Sequence, residues 1–248
     1  MSNQHTARQY ALKRIVRETP LIRMSLLRVE KLVKTTLAQL LWQAWRLQLN
    51  PFGFLRGIDQ TSGRFYIRHF LAQYAPHCQG HFLEFGDPYF RDLFSPAQIT
   101  AYDILDVIDR GEATIVADIQ HCPEVASNTY DVIVCTQVLE HIANPFKAIA
   151  ELQRILKPGG TLLLTVPAAY PYHAIPQDYW RYTRDSLHLL LDPGFEQVTV
   201  HSYGNQLVVV AAYWYWMADH LPRQALMTSN PDCPTILCAY AIKSASKT

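Results

Sequence analysis

The chain has 248 residues, and its 22 Lys and Arg nearly balance 21 Asp and Glu, for a formal net charge of +1. Hydrophobic residues make up 49% and charged residues only 17%, enough apolar surface for a sizeable core. That composition excludes wholesale disorder and a collagen-like or repeat architecture. The near-zero charge is unevenly placed, with nine basic and two acidic side chains in residues 1–50 against thirteen and nineteen in residues 51–248.

The first residues are polar and lack an early apolar run, so no secretory leader is expected. Residues 21–48 read as one basic amphipathic helix after Pro20. Leu26, Val33, Leu37, Leu40, Ala44 and Leu47 recur on one face, while Arg28, Lys31, Thr35, Gln39 and Arg46 face away. Asn50-Pro51 stops this helix, and Gly53 and Gly57 mark a loop. Residues 64–74 form a second, shorter helix. Strands are expected at His81–Gly86, Ile99–Asp103, Thr114–Ala117, Asp131–Thr136 and Thr161–Val166, each a short run rich in Val, Ile, Leu or Phe. The clearest helix between them has Asn144 as its cap and Pro145 at its first position. It carries Phe146, Ile149, Leu152 and Ile155, and ends at Lys157-Pro158-Gly159-Gly160. Leu207–Ala218 is apolar all round and shorter than the ~20 residues of a spanning helix, so burial is expected. A last strand, antiparallel and closing the sheet, is expected at Thr235–Lys243.

Strands alternating with helices imply an α/β fold with a doubly wound, mostly parallel sheet. Residues 1–50 are a helical extension, 51–80 a loop and lead-in helix, and 81–248 the main domain, with a helical insertion at 206–234. The five cysteines are odd in number and unclustered, which favours a reducing, cytoplasmic setting over a disulfide framework or zinc site.

In such sheets ligands bind beyond the carboxyl ends of the central strands. Gly86 after the first strand lets backbone approach a ligand. Asp103 after the second can accept ribose hydroxyls, and Asp118 after the third can reach an adenine amino group. No GxGxxG receives a pyrophosphate, so a nucleoside without phosphates fits better, S-adenosylmethionine foremost.

HFLEFG, AYD, VAD, YDVIVCTQVLEHI and RILKPGGTLLLTVP, in this order and spacing, resemble the class I methyltransferases of the methyltransferase type 11 group. The family's glycine-rich turn is here Gly86-Asp87-Pro88, with only its first glycine kept. LEFGDPYFRDLF, GFLRGIDQTSGRFYIRHFL, DYWRYT and SYGN are similar to a subgroup associated with cell-surface polysaccharide or glycolipid assembly. The resemblance implies a seven-stranded Rossmann-like sheet with S-adenosylmethionine as cofactor. Glu84, Gly86 and Asp87 would line its methionine and ribose side, and Asp103 would take the ribose hydroxyls. Asp106 is a rival if the second strand runs further. Asp118 and Ile119 would hold the adenine, and Thr136 and Gln137 would lie beneath the sulfonium.

For a hydroxyl acceptor, the expected catalytic groups are His141, His173 and Asp178, with Tyr179, Trp180 and Arg181 against the substrate. Bland readings stand beside these: His141 packs its short helix, Tyr179, Trp180 and Tyr182 wedge a lid, and Arg181 pairs with Asp178 or Asp185. Arg56 and Arg64 either pair with the acidic domain or reach substrate. The basic helix either packs on the domain or lies on an anionic membrane, and nucleic acid is disfavoured because the domain is acidic. The expected activity is O-methylation of a saccharide or glycolipid near the inner membrane face. The alternatives are a small-molecule or lipid methyltransferase, or a non-catalytic assembly protein that keeps the fold.

Overall fold

The computed structural model describes residues 20–46, 61–174, 176–214 and 217–245, and the chain divides into two compact units, Met1–Phe54 and Leu55–Thr248. The last expected turn of the basic helix, the Asn50-Pro51 stop, Gly53, Arg56 and Gly57 lie outside the described residues.

The first unit contains helix α1, Pro20–Arg46. Leu26, Leu32, Val33, Leu37, Leu40 and Trp42 on it are all exposed, and Glu30 pairs with Lys34 one turn later at 2.5 Å. No helix among the described residues is long and apolar enough to cross a membrane.

The second unit opens with α2, Ser62–Tyr74, whose Thr61 hydroxyl caps the Arg64 amide at 3.1 Å. Seven strands follow: β1 Gly80–Phe85, β2 Ile99–Asp106, β3 Ile115–Val116, β4 Tyr130–Thr136, β5 Leu156–Pro167, β6 Phe195–Tyr203 and β7 Ile236–Lys243. Their order across the sheet is β3-β2-β1-β4-β5-β7-β6, with β7 antiparallel to both neighbours and the other pairs parallel. The chain therefore reverses direction of travel across the sheet between β1 and β4, where a crevice opens beyond the carboxyl ends.

Three differences from the sequence reading have physical causes. Strand β2 runs on to Asp106, because Leu105 and Asp106 pair with the short β3. Helix α3, Pro145–Ile155, passes directly into β5, and Lys157-Pro158-Gly159-Gly160 begins the strand instead of ending a helix. Gly159 sits at φ +74, a conformation glycine adopts without the Cβ clash, and the ladder to β4 shifts register there. Strand β7 does not close the sheet; it inserts between β5 and β6. In the edge strand β6, unassigned in the sequence, only Phe195 is buried and the other residues are exposed or half-buried.

Helix α3 buries Ala148, Ile149, Leu152 and Ile155 at helical spacing against one face of the sheet. Each fully buried Leu or Ile contributes about 1.5–3 kcal/mol. Asn144 caps α3 by accepting from the Lys147 amide at 3.2 Å. On the other face α2 buries Tyr66, Ile67, Phe70 and Leu71 with Phe82, Val132 and Leu163. Helix α4, Arg184–Leu191, joins the first layer, and α5, Gln206–Tyr213, the second. Only one side of α5 is covered: Val208, Ala211 and Ala212 are buried, while Leu207, Val210 and Tyr213 are exposed. Helix α6, Arg223–Met227, completes the segment before β7.

Candidate active site

A cleft of about 360 Å³ lies at the carboxyl ends of β1, β2 and β4. Phe85, Gly86, Asp106, Val107, Ala117, Asp118, Ile119, Thr136, Gln137, His141 and Tyr179 are among its lining residues. Of the expected cofactor residues, the fold brings Gly86, Asp118, Ile119, Thr136 and Gln137 to it. Gly86 has φ +78, and a Cβ built there meets nothing within 4 Å. Backbone conformation, rather than crowding, therefore requires glycine, and the open space belongs to the cleft. Gln137 is held at φ +53, an uncommon region for a side chain larger than glycine. Its amide donates to the Thr165 carbonyl at 2.9 Å and its side-chain amide to the Thr165 hydroxyl at 3.2 Å.

Asp103, the expected ribose ligand, is not among the lining residues. Its carboxylate is already engaged by His81 Nε2 at 2.7 Å, Tyr130 Oη at 3.1 Å and Thr114 Oγ1 at 3.2 Å. Asp106, at the true end of β2, lines the cleft instead. It accepts the Ile108 amide at 3.1 Å and lies 3.7 Å from the Arg110 guanidinium. Both Arg110 and Val107 were missed, because they follow a strand end drawn three residues short.

Glu84 is likewise turned away from the cleft. It is buried, accepts the Phe90 amide at 3.2 Å, and accepts a short hydrogen bond from Tyr102. It thereby ties the turn after β1 to the sheet. Burial pushes its carboxyl up to about 7, against the opposing effect of the two donors. Asp87 also lies outside the lining; the Tyr89 amide donates to its carbonyl at 2.7 Å, and the Arg64 guanidinium sits 4.2 Å from the Tyr89 ring centre.

At the other end of the cleft, the turn Leu139–His141 meets the strap that follows β5. The amides of Tyr179 and Trp180 donate to the Glu140 carbonyl at 2.7 and 3.3 Å, Trp180 Nε1 donates to the Ile142 carbonyl at 2.8 Å, and the Tyr182 hydroxyl donates to the Leu139 carbonyl at 2.9 Å. These bonds bring His173 beside Glu140 and His141. Asp178, expected as a catalytic group, is fully occupied elsewhere. Arg181 donates to both its oxygens at 2.5 and 2.7 Å and the His173 amide to one at 2.9 Å. The guanidinium holds its carboxyl well below the usual carboxylate range, so it is no base. Arg181, expected against the substrate, also donates to the Tyr170 and Pro171 carbonyls, which makes it a clamp of the strap.

The group the sequence did not single out is Glu140. Its side chain is completely buried, and neither carboxylate oxygen has a hydrogen-bond partner. Burial pushes it up to about 8. His173, partly buried, is held below its ordinary value by desolvation, which leaves its neutral form dominant at neutral pH. Trp180 faces a neighbouring apolar hollow of about 530 Å³ lined also by Phe146, Tyr182, Leu189 and Leu190, which meets the cleft at Ala143.

Comparison with known proteins agrees with this geometry. Residues 79–194 match the family model described as a methyltransferase domain. A thiol S-methyltransferase, TMT1B of Rattus norvegicus, is 33% identical over 85 residues, covering 32% of this chain and 35% of that protein. The ubiquinone biosynthesis O-methyltransferase of Xanthomonas campestris pv. campestris (strain B100) is 29% identical over 98 residues, 34% of this chain and 41% of that one. The chain thus spans about a third of the length of these relatives. Among solved structures, a SAM-dependent methyltransferase from Archaeoglobus fulgidus superposes with a TM-score of 0.51 at 15% identity, covering 73% of this chain and 94% of that one. The N-methyltransferase NodS of Bradyrhizobium japonicum WM9, in complex with S-adenosylhomocysteine, gives 0.50 at 15% identity over 75% and 90%. The structural likenesses speak to the fold. The sheet order, the cleft at its switch point and the match of residues 79–194 to a methyltransferase-domain model together give this chain the Rossmann-like methyltransferase fold.

Proposed function

We propose that the protein transfers the methyl group of S-adenosylmethionine to a hydroxyl of a saccharide or glycolipid. One observation carries this: the cleft has the strand-end carboxylates Asp106 and Asp118 on one side and His141, with Glu140 and His173 beside it, on the other. Gly86 admits the cofactor backbone, Asp106 takes the ribose hydroxyls, Asp118 and Ile119 hold the adenine, and Thr136 and Gln137 support the sulfonium. The methyl of a sulfonium is already activated, so in-line positioning supplies most of the catalysis, about 7–11 kcal/mol at best. The acceptor lies at the His141 end, where the histidine group makes its oxygen nucleophilic. Tyr179 and Trp180, 51% and 41% exposed, offer aromatic faces suited to a sugar ring.

A small lipophilic acceptor bearing a thiol or phenol is a second reading. The apolar hollow beside Trp180 favours it, as do the thiol and ubiquinone-pathway enzymes among the relatives. Supplying labelled S-adenosylmethionine with panels of glycans, glycolipids, thiols and quinols separates the two. Label only in thiols or quinols removes the glycan reading. We further propose that α1, with its exposed Leu, Val and Trp side chains and basic residues, rests on the anionic inner face of a membrane.

A further inference from the structure

We propose that Glu140, His141 and His173 hold a divalent transition-metal ion at the acceptor end of the cleft. One ligand atom from each lies within 4.8 Å of the other two. His141 Nδ1 is hydrogen-bonded to the Gln177 carbonyl, which accepts only, so that nitrogen carries the proton. His173 Nδ1 lies 3.2 Å from both the Pro171 carbonyl and the Asp178 carboxylate, again two acceptors. With Nδ1 facing acceptors, Nε2 is in each ring the nitrogen available to a metal ion. Those two Nε2 atoms stand 4.0 and 3.9 Å from Glu140 Oε1.

These separations are too long for hydrogen bonds. Two imidazole nitrogens and a buried carboxyl group with no hydrogen-bond partner lie together, an arrangement whose unsatisfied polar atoms a bound cation would satisfy. A cation between such pairs would lie at roughly 2.0–2.2 Å from each atom, the bond length of zinc and its neighbours to nitrogen and oxygen. The ligand set is two imidazoles and one carboxylate, which suits zinc, cobalt, iron or nickel and leaves positions open. The carbonyl and carboxylate that fix the Nδ1 protons are the outer partners such ligands ordinarily have.

His141 borders the cleft while Glu140 is sealed, so the open positions face the acceptor. This step rests on the proposed methyl transfer. The acceptor's oxygen or sulfur binds the ion and its bond to hydrogen breaks, the proton leaving to water. The freed lone pair forms the bond to the methyl carbon as the carbon–sulfur bond of the sulfonium breaks, its electron pair returning to sulfur.

The test uses the untagged full chain, stripped with a chelator and titrated with cobalt(II). The expected result is one equivalent with visible d–d absorption, displaced by zinc, with affinity at least tenfold weaker in both His173→Ala and Glu140→Gln. His173→Ala lies in the strap, and far-UV circular dichroism and melting of both variants confirm folding. Absence of stoichiometric binding to the wild type overturns the proposal, as does unchanged affinity in a folded His173→Ala. Methyl transfer at full rate after metal removal overturns the catalytic role of the ion and leaves the transferase reading standing. Metal binding without any methyl transfer sinks that reading and leaves the site.

Discussion

Asp103 and Asp106 are one turn of reasoning apart in sequence and differ in what they can do. Asp103 is locked by three donors inside the sheet, whereas Asp106 ends β2 in the cleft. Asp106→Ala is therefore expected to weaken S-adenosylhomocysteine binding at least tenfold by calorimetry, and Asp103→Ala to leave it within a factor of two or three. Asp103→Ala should instead lower Tm, since it strands His81 and Tyr130 without their acceptor, at about 1–3 kcal/mol. Equal losses of affinity in both variants would refute the distinction. Glu84 gives a pH prediction. Burial raises its folded-state pKa to about 7, so its contribution to stability is complete below the unfolded carboxyl value and is lost as pH rises through about 7. Tm should fall between pH 5 and pH 8, with a shallower slope in Glu84→Gln; an unchanged slope would show that Glu84 does not titrate there. Gly86, Asp118 and Gln137 were legible in sequence because apolar runs end visibly before them. Asp103 was misplaced because Asp-Ile-Leu-Asp offers two acids that a strand boundary alone distinguishes, and β3 pairing, a long-range event, sets that boundary.

The strap between β5 and α4 is the element that builds the acceptor end. Its geometry rests on backbone bonds to the Glu140 turn and on the Arg181–Asp178 pair, whose carboxylate side chain is 1% exposed. Arg181→Met removes the partner of a buried charge and should cost about 3–5 kcal/mol in a urea melt. It should also release His173. A loss below about 1 kcal/mol would mean that the strap holds without its clamp. The strands β1, β4 and β5 were legible because buried parallel strands read as continuous apolar runs. Strand β6 was not, since Phe195–Tyr203 mixes polar with apolar residues as an edge strand does. The meeting of Glu140 with His173 was also hidden. Sequence placed His173 near the ligand end, yet its approach to Glu140 depends on amides of Tyr179 and Trp180 finding one carbonyl.

At the scale of the molecule, the +1 net charge conceals a basic helix and an acidic domain. The membrane reading of α1 predicts flotation of the full chain with anionic liposomes, loss of flotation on removal of residues 1–50, and loss at high salt. Equal flotation of both forms would remove α1 from membrane binding. The mostly parallel, doubly wound sheet was implied by the alternation of strands and helices, while the order of its strands and the insertion of β7 between β5 and β6 were not, because neither leaves a mark in a hydrophobic run. The central claim is that this cleft is a cofactor site in spite of its single remaining turn glycine. Isothermal titration calorimetry of the full chain with S-adenosylhomocysteine tests it most directly. The predicted result is one-to-one binding at micromolar ligand, and no heat of binding at millimolar ligand would contradict it.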